Sequence, residues 1–131
     1  TIAAIAAAAR NTIGNTPPKL PRFASALDAA YSFDLRDDQK LTPRLEYVYR
    51  GAFDYRVFDS AALDSVGSYD LWNFYLEYQP PVRGLRLSIA ATNLGNVDGI
   101  AGRFTDPYGS GQTSNEFIAP RQYVFTAGYS F

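Results

Sequence analysis

The 131-residue chain contains no histidine, no cysteine and no methionine. Without histidine there is no Ser-His or Cys-His catalytic pair and no imidazole-ligated metal. Without cysteine there is no disulfide framework, zinc-thiolate site or thiol nucleophile. Long apolar runs are missing as well. The longest is Ile2–Ala9, mostly alanine, and a membrane-spanning helix needs about 20 such residues. Residues 1–10 also lack the charged leader and cleavage pattern of a signal peptide. A basic surplus is absent: 12 Lys and Arg stand against 13 Asp and Glu, for a net charge of -1. That balance argues against nucleic acid as a partner, because a phosphate backbone is met by excess positive charge. The first residue is threonine, so the chain is expected to be processed, or to be one part of a longer polypeptide.

Aromatic residues are abundant, with ten Tyr, nine Phe and one Trp. They are interleaved with polar residues at a period of two, the mark of a strand with two unlike faces. Five windows show it: Phe23–Leu35, Leu41–Tyr55, Tyr69–Gln79, Leu85–Asn93 and Arg121–Phe131. In the first, Phe23, Leu27, Tyr31 and Phe33 alternate with Ala24, Asp28 and Asp34. In the third, Trp72, Phe74, Leu76 and Tyr78 alternate with Asn73, Tyr75 and Glu77. Arg36–Lys40 and Pro80–Gly84 read as tight turns, and Arg56–Gly67 and Leu94–Ile118 as long loops. Residues 11–22, with three prolines, read as loop, and residues 1–10 read equally as a short helix or a strand.

Alternation is common in soluble antiparallel sheets. Three features point instead to strands that cross a bilayer. The windows run about 9–15 residues, against about 5–6 in soluble sheets, and a tilted strand needs about 9–11 to span. The apolar positions named in these windows carry no charge, whereas the opposite positions carry Asp28, Arg44, Glu46, Arg50, Asp54, Glu77 and Arg86. A lipid-facing Arg or Lys at the midplane costs about 2–4 kcal/mol. Connections alternate short and long, as periplasmic turns and extracellular loops do. That counting places the C-terminus on the periplasmic side. It puts Phe23, Phe53, Tyr55 and Tyr123 at the outer rim, and Tyr31, Phe33, Tyr78, Tyr129 and Phe131 at the inner rim, where rings favour the headgroup level. The expected fold is therefore all-β: an antiparallel up-and-down transmembrane β-barrel, partial, with five to six strands of a larger barrel over residues 1–131. A passive porin-like barrel and a soluble antiparallel ligand-binding module are the alternatives.

Three segments carry a family likeness. They are Gly14-Asn15-Thr16-Pro17-Pro18-Lys19-Leu20-Pro21 before a strand, Ala91-Thr92-Asn93-Leu94-Gly95-Asn96 at the end of a late strand, and Ala119-Pro120-Arg121-Gln122-Tyr123 leading to Tyr129-Ser130-Phe131. On these the chain resembles the C-terminal end of a TonB-dependent outer-membrane receptor. The resemblance implies a Gram-negative outer-membrane location and active transport of a siderophore-iron complex, cobalamin or an oligosaccharide. It implies a 22-strand barrel around a plug, of which this chain lacks the plug, the TonB-contacting box and most strands. Expected partners are the lipid bilayer, the remaining barrel strands and plug, the TonB complex through that plug, and the barrel-assembly machinery, which would read Tyr129 and Phe131 in the last strand.

No pair of carboxylates is spaced for acid–base work and no cofactor motif occurs, so the chain is not read as an enzyme. Asp98 and Asp106 match no calcium loop, and Gly109-Ser110-Gly111 lacks the context of a phosphate loop. Long loops carry function, which makes Arg103, Phe104, Tyr108 and Gln112 ligand-contact candidates. Tyr75, inward by parity, is a stacking candidate. Arg44, Glu46 and Arg50 read chiefly as an ion-paired interior wall.

Overall fold

Alternating aromatic and small polar residues, with β-branched and aromatic side chains that fit a pleated surface, become strands throughout. A computed structural model describes residues 12–58, 63–106 and 112–131. It holds ten strands: β1 (Ala24–Ala30), β2 (Phe33–Asp34), β3 (Lys40–Arg50), β4 (Phe53–Asp54), β5 (Ser65–Val66), β6 (Tyr69–Gln79), β7 (Leu85–Thr92), β8 (Ile100–Thr105), β9 (Thr113–Phe117) and β10 (Gln122–Tyr129). The chain is all-β and antiparallel. No helix among the described residues is long and apolar enough to cross a membrane.

The long strands form one sheet in the order β1-β3-β6-β7-β10, with β2 continuing β1 along β3. Sequence neighbours are thus spatial neighbours, as expected of an up-and-down sheet. Tyr31 N–H donates to Pro43 O at 3.2 Å, Gly51 N–H to Phe23 O at 2.9 Å, and Phe33 pairs with Leu41. A single antiparallel register therefore runs the whole length of the first pair. Phe74, Leu76 and Tyr78 pair with Ala91, Ile89 and Leu87, which pair in turn with Tyr123, Phe125 and Ala127. The side chains of such a row lie on one face. The expected apolar face is therefore the observed one, and Tyr75–Ala90–Val124 and Glu77–Ser88–Thr126 occupy the other.

Two tight turns connect these strands. Asp37 and Asp38 adopt φ of 58° and 59° between β2 and β3, a conformation short acidic side chains tolerate. Between β6 and β7, Gly84 has φ +82°, and a Cβ there would lie 2.1 Å from Ser130 O. Only glycine lets the last strand approach so closely that Ser130 N–H donates to Gly84 O at 2.9 Å.

The chain divides into two compact units. The sheet unit comprises Ser25–Tyr49, Asp70–Asp98 and Ala119–Phe131; the loop unit comprises Thr1–Ala24, Arg50–Tyr69 and Gly99–Ile118. In the loop unit β4 pairs with β5 and β8 with β9. Here the structure corrects the sequence reading. The expected strand Leu41–Tyr55 ends at Arg50, and Phe53–Asp54 starts a separate ladder with Val66 and Ser65. A side chain at Gly51, the residue after β3, would meet Phe23 O at 2.6 Å. Phe53 is buried at 6% exposure, not an outer-rim residue facing lipid. Leu94–Ile118, expected as plain loop, contains the β8–β9 hairpin. Residues 1–10, expected as helix or strand, lie outside the described residues, as does Gly109-Ser110-Gly111.

Candidate functional site

Each unit holds one cluster that bears on function. In the sheet unit it lies on the polar face. Arg44 Nε donates to Asp28 Oδ2 at 2.6 Å, and its guanidinium stands 5.2 Å from the centre of the Tyr75 ring. Tyr75 Oη donates to Glu46 Oε2 at 3.3 Å, and Asn73 Nδ2 donates to the same oxygen at 2.9 Å. Asn73 Oδ1 in turn accepts Asn93 N–H at 2.9 Å. Three neighbouring strands thus supply one continuous polar ladder. Alternation places Asp28, Arg44, Glu46, Asn73 and Tyr75 on the same side, and cross-strand spacing brings opposite charges within reach. Tyr75 is where parity placed it, with its hydroxyl tied to a carboxylate and its ring covered by a cation.

The ladder ends at a corner that explains the Asn93-Leu94 pair. Asn93 is buried and adopts φ of 50°. Its Nδ2 donates to Val97 O at 3.0 Å and Ala119 O at 2.9 Å, while its Oδ1 accepts Val97 N–H at 2.9 Å. Asn96 Oδ1 accepts Arg121 N–H at 3.1 Å. One amide therefore ties both ends of the long connection to the end of β7. Asparagine suits the place because it tolerates the left-handed conformation and offers two donors and an acceptor.

The apolar face of the same sheet is open. Phe125 is 76% exposed and Trp72 42%; Leu27, Tyr31, Tyr123 and Tyr129 are also exposed. Tyr47, Tyr49, Phe74 and Leu76 are half-buried. Tyr47 and Trp72 rings lie 4.6 Å apart, beside an apolar groove of about 290 Å³ bordered by Leu27, Ala29 and Leu45. Asp70, at the loop end of β6, shares the parity of Trp72; no other charged residue of the long strands shares the parity of this face. Tyr129 lies in β10 opposite Leu85, and Phe131 is fully exposed beyond it.

In the loop unit, Arg103 sits in β8 opposite Asn115 of β9. Its Nε donates to Asn115 Oδ1 at 2.8 Å and its Nη1 to Ser65 O at 2.5 Å. With Phe104, Tyr55, Asn115 and Glu116 it borders an open groove of about 240 Å³. Arg103 and Phe104, adjacent in β8, both border this groove. Gln112 is placed elsewhere, its carbonyl accepting Asp106 N–H at 2.9 Å to close the hairpin. Tyr108 lies outside the described residues. Tyr55, Asn115 and Glu116 escaped sequence reasoning. The signal available for Asn115 and Glu116 was the polar alternation Thr113–Phe117, short and embedded in a loop rich in glycine.

Beneath this groove's residues the unit has a small core. Phe53 and Val66 are buried as a cross-strand pair, and Arg50 stacks 4.3 Å from the Phe53 ring. Asp64 is wholly buried and receives Arg56 Nε at 2.5 Å. Lys19 lies 4.5 Å from the Tyr55 ring, and its N–H donates to Asp54 O at 2.7 Å. The proline-rich segment is therefore anchored in the loop unit. Among the described residues no group of three or more Asp or Glu is placed to hold a metal ion.

No family model matches the chain, and no curated protein or solved structure is similar to it at a significant level.

Proposed function

We propose that this chain forms the last strands and outer loops of the barrel of a TonB-dependent outer-membrane active transporter. The sheet's apolar face meets lipid, and the polar ladder of Asp28, Arg44, Glu46, Asn73 and Tyr75 faces the interior, where a plug is held. The β8–β9 connection carries ligand contacts at Arg103, Phe104, Tyr108 and Gln112, joined by Tyr55 and Glu116. The cargo is a scarce nutrient of the siderophore-iron, cobalamin or oligosaccharide class. Release is driven by TonB acting on the plug. Tyr129 and Phe131 serve the assembly machinery.

One observation carries this assignment: long strands present an aromatic face that no described residue covers. Large apolar surfaces left open in water mark an interaction site; this one has a single charged position, Asp70 at its loop end, and β3 and β6, with 11 residues each, reach the length of about 9–11 that a tilted crossing strand needs. The C-terminal aromatic strand and the asparagine corner add support.

Trp72 is the chain's only tryptophan, so its fluorescence tests the lipid contact. In vesicles of brominated phospholipid the emission should fall several-fold relative to ordinary phospholipid. Unchanged emission, with the chain monodisperse without detergent, sinks the assignment. Transport is tested separately in cells carrying the gene. Nutrient uptake should stop when the inner-membrane proton gradient is collapsed, whereas uptake that continues identifies a passive barrel.

A further inference from the structure

The groove of the β8–β9 hairpin holds two opposite charges that do not neutralise each other. Arg103 donates from Nε to Asn115 Oδ1 and from Nη1 to Ser65 O. Both acceptors are neutral, so the guanidinium is fixed in place with its charge uncompensated and further N–H donors to offer. The hairpin register shifts between Ile100 and Gly102, and a bulge re-aims the side chains beside it. Gly102 then pairs with Glu116. The Glu116 carboxylate leans across the ladder, with Oε2 2.9 Å from the place a Cβ would take on Gly102. Glycine at this position leaves the carboxylate its room, beside Arg103 in β8. Among the described residues, Glu116 has no hydrogen-bond or ion-pair partner and no carboxylate pairs with Arg103. The Phe104 ring is exposed in the same groove.

Charges held apart in this way select their ligand. A lone anion would be repelled by Glu116 and a lone cation by Arg103. A neutral ligand would take both charges from water and return a partner to neither, which costs free energy. A ligand with a carboxylate and an ammonium answers both through charge-assisted hydrogen bonds. Tyr55 and Phe104 offer their rings to its apolar part. The groove volume of about 240 Å³ lies below the about 300–1,000 Å³ of sites that enclose a drug-sized ligand, so it admits a small group.

We propose that this groove binds a zwitterion: an α-amino acid, or the part of a larger cargo that carries an ammonium and a carboxylate together. Arg103 takes the carboxylate and Glu116 the ammonium. The inference rests on the reading of this groove as a ligand contact, and it narrows the chemistry of what is held there.

The test compares leucine, leucine methyl ester and N-acetylleucine on the whole protein purified in detergent. The first carries both charges, the second only the cation and the third only the anion. In calorimetric titration leucine should bind about tenfold more tightly than either blocked form, as the loss of one charge-assisted hydrogen bond predicts. Glu116→Gln has no hydrogen bond of its own to lose, and it should bring leucine down to the level of N-acetylleucine. Arg103→Gln should bring leucine down to the level of the methyl ester; where amide exchange shows the hairpin loosened by that change, Glu116→Gln decides. Equal binding of the three probes, no binding of leucine, or an unchanged preference in Glu116→Gln overturns the inference. None of these results touches the quenching of Trp72 by brominated lipid or gradient-driven uptake, so the transporter assignment stands or falls separately. Uptake that survives collapse of the gradient overturns active transport while the preference for leucine remains.

Discussion

The loop unit holds a small buried core, whereas the aromatic face of the sheet unit lies open. Phe53, Val66 and Asp64 lie inside the loop unit, and its one buried acid is satisfied by Arg56. In the sheet unit the buried side chains are confined to the Ala91–Asn93 end of β7. Leu27, Tyr31, Phe125 and Tyr129 stand open although they are the kind of residue a core consumes. Regions of one chain share one solvent history only if the same surroundings stabilise both. Here the loop unit buries a pair of its own, Phe53 and Val66, while the sheet's aromatic face is left open. That contrast is what the proposed bilayer-spanning wall with folded outer loops calls for.

The contrast has a sharp consequence for Asp64. Replacing it with alanine removes the carboxylate from a half-buried guanidinium, and breaking such a pair costs about 3–5 kcal/mol. Amide exchange should accelerate across β4, β5 and the Arg56 segment while β6, β7 and β10 remain as protected as before. Equal acceleration in the sheet would show that the units are not separately stabilised.

Phe125→Arg probes the other side of the comparison. It places a cation midway along β10 on the open face, opposite Ile89, and should lower unfolding stability in phospholipid vesicles by about 2–4 kcal/mol. Thr126→Arg, one residue along and on the polar face, should change it little. If the two variants behave alike, the faces do not meet different solvents.

Asn93→Ala has the smallest expected effect, about 1–3 kcal/mol, from the hydrogen bonds that the buried Asn93 amide makes to the Val97 and Ala119 backbones. Faster exchange should be confined to Val97, Asn96 and the start of β10. The rest of the β6–β7 ladder should be unchanged.

The period-two pattern was enough to locate all five long strands, their order and their two faces, because side-chain direction in a strand depends only on parity. Tyr69–Gln79 matches its window residue for residue. The same rule failed at Gly51. Parity continued through Phe53 and Tyr55, but β3 ends at Arg50 and Phe53–Asp54 pair with Val66 and Ser65, a partnership that no one-dimensional pattern contains. The loop candidates divided for a similar reason. Arg103 and Phe104 were legible as bulky residues in a long connection. Their neighbour Tyr55 comes from another part of the chain and Asn115 from across the hairpin, and only folding brings them together.

What the sequence by itself determined was local and periodic: strand content, the apolar and polar faces, the positions of the tight turns, and the exclusion of thiol and imidazole chemistry by missing residues. Tertiary structure alone decided which loop residues share a groove, that Asn93 ties two distant ends together, and that Asp64 and Arg56 form a buried pair. Those features depend on contacts between segments, eight residues apart for Arg56 and Asp64 and 26 for Asn93 and Ala119, and a periodicity of two residues carries no information about which segments meet.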